Sequence, residues 1–579
     1  MRRNRVVFAA AAACSVELTL GLYAHATVRT WSATTSSTTN KFSDAANWGN
    51  NAIVSGSDEL SFVSIASANL SPSNDITGLT LVGQTVSSVN QHGIAFTGAQ
   101  AYTLGGNDIT ILDNSSTAFA INNTASALQT IGNNLFLGGS AARIIISNDA
   151  GGMVLNGSIS NVSVNNSSIQ FESDSTSGAI TINGSVAMGS STGQLLNAGN
   201  GFNATDGTIV FNNNITGSAT FNIGRGVANL KASTDLAGAV AIGSSSKQAT
   251  FSASLILSHT GAMQNATAFS ILRNDVSGNG QTGGTDSLLI AATGTQRDQN
   301  ITIYAQTNSG VTVAVGGTTG LGAAGTAIFG GNIVYGLSTP ANNIVNRTLQ
   351  LQATEGTVTF KGTIKEGSAG QSQGLLSLNK TGAGTVILTG NNTYSGTTSV
   401  SAGTLLVNNT AGSGTSGGAV SVGADATIGG TGTISGTLAL SGTASHLSQL
   451  NPGGSTHAGA LTVKNNVTLG DYSSLAISLN GSTSNELIVN GNLNLSSTLD
   501  NLAFTGSADG ISNYVLAAYT GTLTGTFDTV TNLPAYYSLS YGGGQVVAVA
   551  PEPASCVTVV AVQLGALALR RRRRVAQTT

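Results

Sequence analysis

Only 8% of the 579 residues are charged and 5% aromatic, and the chain holds six prolines and two cysteines. Each shortage excludes something. A disordered chain is low in hydrophobicity and rich in charge or proline. Here apolar residues make up 40%, enough for a thin core of Val, Ile, Leu and Ala. Little Lys and Glu, beside 76 glycines and abundant Thr, Asn and Val, argues against helices and for short strands joined by frequent turns. Cys14 and Cys556 both lie inside terminal apolar segments. A body freed of those segments has no disulfide, no thiol chemistry and no thiolate-bound zinc. Arginines gather at the two ends, at Arg2, Arg3, Arg5 and Arg570 to Arg574. Thirteen basic and twenty-two acidic residues remain between the end segments, a net of about −9. That charge argues against a nucleic-acid partner reached electrostatically.

What is present at the ends reads as addressing. After a basic start the chain runs "VVFAAAAACSVELTLGLYAHA", closing on the small-x-small triplet Ala24-His25-Ala26. This pattern predicts a secretory signal helix over residues 1–26, cut after Ala26. Glu17 interrupts the apolar stretch, and lipoprotein processing at Cys14 would lack the usual Leu three residues before it. At the other end Pro551-Glu552-Pro553 precedes an apolar segment, Ala554 to Leu569, whose strongly polar member is Gln563. As a helix it would be about 24 Å long, short of the roughly 20 residues that span a bilayer comfortably. The cluster Arg570, Arg571, Arg572, Arg573, Arg574 would stay cytoplasmic and leave everything before Pro551 outside. Pro551 and Pro553 keep the intervening peptide extended.

Taken together, residues 551–574 resemble the PEP-CTERM sorting signal of Gram-negative bacteria: the tripeptide, a transmembrane helix and an Arg cluster, in that order. Ala550 stands where Val is common, and Gln563 sits in the helix. The resemblance implies an exosortase-type processing enzyme as partner. It also implies a precursor held in the inner membrane by its C-terminal helix, then a product at the cell surface, at the outer membrane or outside the cell. Permanent anchoring by an uncut helix is the other reading of the same residues.

Between the ends one theme recurs: four to six alternating apolar and small polar residues, closed by Gly or Asn. Examples begin at Gly356, Gly384, Gly403, Gly436 and Gly459, as in "GTVTFKG" and "GTLLVNN". Alternation over short runs marks half-buried strands, and recurrence every 20–30 residues marks a solenoid of imperfect repeats. Asn pairs fall between the strands, at 122–123, 133–134, 165–166, 391–392, 408–409 and 465–466. Asn suits turns, and stacked corners can line up as Asn ladders. The fold class expected is all-β, a right-handed parallel β-helix flanked by the two terminal helices. With about 20–25 residues per coil it would have somewhat over 20 coils and be on the order of 100 Å long. Tandem β-sandwiches would instead show compact blocks and linkers.

The stretch "LSLNKTGAGTVILTGNNTYSGTTSVSAGTLLVNN" (Leu376–Asn409) is similar to the autotransporter-associated β-strand repeat of bacterial passenger domains. The motif rests on Lys380-Thr381-Gly382, Gly384-Thr385, Leu388-Thr389-Gly390, Asn391 to Gly396 and Ala402 to Leu405. The opening segment with Trp31 and Trp48 and the stretch after residue 450 are similar in kind. The body is expected to run into the sorting signal without a translocator barrel. The expected divisions are a signal peptide (1–26), an N-terminal solenoid (27–370), the repeat region (371–445), a C-terminal solenoid and cap (446–550), and the sorting signal (551–574).

Chemistry is sparse. The close carboxylates are Asp58 with Glu59, and Glu172 with Asp174, the latter two on one strand face. His92, His259, His446 and His457 lack metal-ligand spacing, and Asp286 stands in a single, faint calcium-repeat-like stretch. No catalytic, cofactor-binding or metal residues are assigned. The expectation is a non-enzymatic structural or adhesive protein of the surface or its matrix, contacting exopolysaccharide or other surface glycans. A polysaccharide-degrading β-helix enzyme and a membrane-retained rod are the alternatives.

Overall fold

A short amphipathic strand can bury its apolar face only if other strands complete a core around it. The computed structural model shows how this chain does so. It describes residues 28–551 except 34–38, 50–57, 66–68, 87–88, 115–118, 142, 150, 163–167, 174–177, 189–194, 199–206, 244–251, 272–283, 305–311, 337–345, 368–373 and 455–458. The expected terminal helices lie outside the described residues. Within them the protein is all-β, with two single-turn 3-10 helices at Ala45–Asn47 and Thr319–Leu321.

Strands stack in parallel, each paired with its counterpart one coil away, and together they wall a three-sided solenoid. The first side runs through thirteen strands, from Val28–Trp31 to Ile364–Glu366. The second is an open ladder of eighteen, from Ser73–Asn74 to Leu523–Gly525, joined without a gap by parallel registers. The third side comes in two parts. An eight-stranded sheet ends at Thr234–Leu236, and a second sheet begins at Thr295–Arg297; it counts sixteen strands because it also joins the late strands that continue the first side.

The eighteen-strand ladder, with one coil before it that meets Ser73 through a parallel bridge at Lys41, counts the coils. At about 4.8 Å per coil the rod is roughly 90 Å long. That is fewer, longer coils than expected. Val420 faces Leu438, eighteen residues on, whereas Val313 faces Leu349, thirty-six on. The recurrent string misled because it marks different sides. Thr357, Thr385 and Thr404 stack on the third side, so their spacings are true coil lengths. Leu438–Leu440 lies on the second side, and Gly459–Val463 continues the first.

Inward residues form columns. Leu104, Ile131, Leu155, Ile182, Phe211, Leu230, Leu257 and Ile290 occupy one register line, each 1% exposed or less. Burying each side chain is worth about 1.5–3 kcal/mol, so the core's contribution accumulates coil by coil. Trp31, Phe42, Trp48 and Phe62 fill the first coil, with Trp31 and Trp48 edge-on at 5.0 Å between centroids. The far end turns antiparallel, where Gln545–Val549 pairs with Tyr514–Tyr519 and with Ser538–Gly542. An antiparallel hairpin ends the parallel stacking at that side.

Corners carry the asparagines. In four of the pairs one member faces in: Asn123, Asn133, Asn392 and Asn409 are all buried. Their neighbours face out, and outward asparagines stack between coils. Asn183 Nδ2 donates to Asn156 Oδ1, and Asn212 Nδ2 to Asn183 Oδ1, each at 2.7 Å. A ladder is therefore present, but outside the expected pairs; of those, Asn123 Nδ2 donates to Asn148 Oδ1 of the next coil at 2.7 Å. Asn465 and Asn466 are both exposed, and Asn165-Asn166 lies outside the described residues. Glycine is required where coils pinch together. A Cβ on Gly362 would lie 2.1 Å from the Gly331 carbonyl, and one on Gly390 2.2 Å from that of Gly362.

The first side loses its strand after Ile364–Glu366, yet its hydrogen bonding continues. Asn392 Oδ1 accepts the Ile364 amide at 2.8 Å, and Asn392 Nδ2 donates to the Gly414 carbonyl at 2.6 Å. The Gly414 amide then donates to Thr433 O at 2.9 Å, where Thr433–Ile434 resumes the side. One buried amide side chain thus stands in for a missing piece of backbone. Asn392→Ala orphans a buried donor and a buried acceptor, and should cost about 2–4 kcal/mol in urea unfolding. Asn391→Ala, at the exposed neighbour, should cost under about 1 kcal/mol.

Candidate functional site

Sequence alone singled out few residues, and the structure places some of them. Ala24, Ala26, Glu552, Pro553, Arg570 to Arg574, Asp174 and His457 lie outside the described residues. Pro551 is half-buried and follows the Gln545–Val549 strand, with the Ala550 amide held by Asn513 Oδ1 at 2.8 Å.

Asp58 and Glu59 each take a different partner, and the pairing of Glu172 with Asp174 falls outside the described residues. Asp58 takes the Arg29 guanidinium at 2.8 Å. Glu59 accepts the His92 amide at 2.9 Å, while burial pushes its carboxyl above the ordinary range. Burial also lowers the His92 imidazole, whose Nδ1 accepts the Phe119 amide at 3.2 Å. Glu172 is buried in Ser168–Ser173 beside Gln170, whose amide donates to it. Asp286 accepts the Ala253 amide one coil away, at 3.1 Å. His446 pairs with Asp425 at 2.6 Å on an exposed corner, where an ion pair contributes little. Among the described residues no group of three or more His, Cys, Asp or Glu is arranged to hold a metal ion.

Concavity is found at a place that the sequence reading passed over. Between Thr234–Leu236 and Thr295–Arg297 the third side has a turn instead of a strand, leaving a cleft of about 760 Å³. Arg297 forms its floor, 2% exposed. Its guanidinium donates to the carbonyls of Thr260 (3.0 Å), Ala262 and Gln296 (2.5 Å), so it braces the turn from beneath. Burial lowers its pKa to about 10, opposed by neighbouring Asp298, and it stays charged at neutral pH. Thr234 Oγ1 accepts the Met263 amide at 2.5 Å from the other flank. On the rim, Gln296 Nε2 donates to both oxygens of Asp298, at 2.8 and 2.9 Å. Gln299 Nε2 donates to Gln264 O at 2.7 Å, and His259 Nδ1 accepts the Gly261 amide at 3.0 Å. A signal was available in sequence. Arg297-Asp298, flanked by glutamines in a chain this poor in charge, is a local concentration of polar function.

The repeat at 376–409 runs through more than one coil, and its unusual residues each have a structural task. Lys380 continues the inward alternation of Leu376 and Leu378 and sits in an aliphatic column between Leu351 and Val400. It is fully buried, and its Nζ donates to the carbonyls of Thr381 (3.1 Å), Gly382 (2.7 Å) and Ala402 (2.9 Å). Gly382 and Gly403 adopt positive φ, 81° and 64°. Tyr394 is buried, with its hydroxyl 2.5 Å from Thr398 Oγ1.

Residues 378–407 match the Passenger-associated-transport-repeat family. The match covers thirty residues and supports an autotransporter-type passenger repeat at this one place. No curated protein matches the chain.

Two buried ionisable groups give pH signatures. Burial lowers the Lys380 ammonium to about 8, against about 10.4 when unfolded. Between these values the unfolded state binds more protons, so this group makes stability rise with pH. Wild type should gain on Lys380→Met from pH 8 to pH 10 in thermal unfolding. Asp500 is fully buried near the C-terminal end, and burial raises its carboxyl to about 6. Its native state holds the proton more tightly than the unfolded state. The contribution is therefore complete below about pH 4 and is lost as pH rises through 6. Asp500→Asn should flatten the fall in melting temperature between pH 4 and pH 7.

Proposed function

We propose that this chain is exported and sorted to the cell surface or extracellular matrix, where it serves as a non-enzymatic structural or adhesive rod. The observation that carries the reading is a continuous parallel solenoid bearing a passenger-type repeat and leading directly to Pro551. A solenoid holds large flat polar faces rigid at small cost in charge or core volume. Its outward Thr, Ser and Asn suit weak repeated contact with exopolysaccharide or other surface glycans. With a body of about −9, nucleic acid is not a partner.

The sorting proposal rests on the PEP-CTERM-like order of Pro551-Glu552-Pro553, the Ala554–Leu569 segment and Arg570 to Arg574. An exosortase-type enzyme would act near the tripeptide while the helix holds the precursor in the inner membrane. An N-terminal signal ending at Ala26 would deliver it there.

Mass spectrometry of the terminal peptides of the protein recovered from its native cells tests this. The mature N-terminus is expected at Thr27. The C-terminus is expected near Pro551–Pro553, or carrying an added mass there. A C-terminal peptide intact through Arg574 would show a membrane-retained rod instead. Release of reducing ends from a polysaccharide panel by the purified protein would overturn the non-enzymatic assignment.

A further inference from the structure

We propose that the cleft between residues 259 and 299 is a binding subsite for a short, uncharged oligosaccharide. This deepens the surface-rod reading and rests on it for its setting, but the site is argued from its own chemistry.

The first consideration is shape. The cleft interrupts a side otherwise built of flat parallel sheet, and its volume of about 760 Å³ falls within the roughly 300–1,000 Å³ of small-ligand sites. The second is the character of its groups. A sugar hydroxyl both donates and accepts, so a sugar site needs both functions on one surface. The rim supplies amides at Gln264, Asn265 and Gln296, a carboxylate at Asp298, a hydroxyl at Thr260 and an imidazole at His259. All six are exposed.

Preorganisation is the third. The Asp298 carboxylate is fixed by Gln296 and the turn is pinned from below by Arg297, so little ordering remains to be done on binding. Asn265 is likewise held, its Nδ2 3.3 Å from Asp235 Oδ1. The last is charge. Arg297 is the cation of the site, but its terminal nitrogens are committed to backbone carbonyls and it lies beneath the surface. No cationic side chain lines the accessible rim, and Asp298 presents negative charge there. An anionic ligand would meet a carboxylate without a counter-charge. A neutral saccharide would meet complementary donors and acceptors.

The test is saturation-transfer NMR of the purified exported protein with maltotriose, cellotriose, xylotriose and tri-N-acetylchitotriose, with an oligogalacturonate as the charged comparison. Saturation transfer is expected to at least one neutral trisaccharide. Asp298→Ala should weaken that binding about tenfold or more, the loss of one charge-assisted hydrogen bond. Gln296→Ala should weaken it less, and Asp425→Ala, on a distant exposed corner, not at all. Matching thermal melts establish that the exposed variants fold.

Absence of transfer from every neutral sugar would overturn the proposal. So would transfer that Asp298→Ala leaves intact, or preference for oligogalacturonate. Protease accessibility of the protein on intact cells reads the surface assignment separately. A surface-accessible protein that ignores the sugars refutes only the cleft, and a sugar-binding protein shielded inside the cell refutes only the surface reading.

Discussion

Every backbone amide and carbonyl in the walls of this molecule must be answered by the coil above or below, and the rest of the structure follows from that demand. Parallel strands cannot be joined by tight hairpins, so the chain must travel around the other two sides before returning. That circuit makes the core. The second side meets the demand with backbone for eighteen strands, helped at one point by Asp286, whose carboxylate accepts the Ala253 amide. The other two each lapse once, and at each lapse a buried polar side chain takes over the missing bonds: Asn392 on the first side and Arg297 on the third. The two solutions differ in consequence. Asn392 restores a flat wall, whereas Arg297 leaves a hollow above it.

The repeat segment shows the same logic at higher density. Lys380 occupies a position that alternation assigns to an aliphatic residue, and its ammonium gathers three carbonyls that the tight Gly382 and Gly403 turns leave pointing inward. A buried cation without a carboxylate partner is costly, and the depressed pKa records that cost. Its return is the local geometry: without a donor at that point the carbonyls would be buried and unmatched. The motif residues recognisable in sequence are therefore mostly those a narrow coil needs in order to turn.

Much of the architecture was legible because it depends on short-range rules. Period-two alternation announced strands and glycine and asparagine announced corners, while the Asn ladder itself stands at Asn156, Asn183 and Asn212, away from the pairs that suggested one. Coil length was not legible. Strings such as "GTVTFKG" and "GTLALSG" look alike because any wall of the solenoid asks for the same pattern, so similarity between them does not say which side each occupies. Side assignment depends on pairing across up to thirty-six residues, which local pattern cannot carry. The cleft was hidden for a related reason. His259 and Asp298 are far apart in sequence, and only the coil register brings their neighbourhoods together.

The central claim is that one uninterrupted inter-coil ladder organises the whole body, and amide hydrogen exchange read by mass spectrometry tests it most directly. The account predicts slow exchange along the second side from Thr103–Gly106 to Leu493–Leu495. Protection should continue past the strand lapses at residues 259–264 and 391–397, as the Thr398–Val400 strand requires. Fast exchange in the second-side strands flanking either lapse, dividing the body into separately protected blocks, would contradict it.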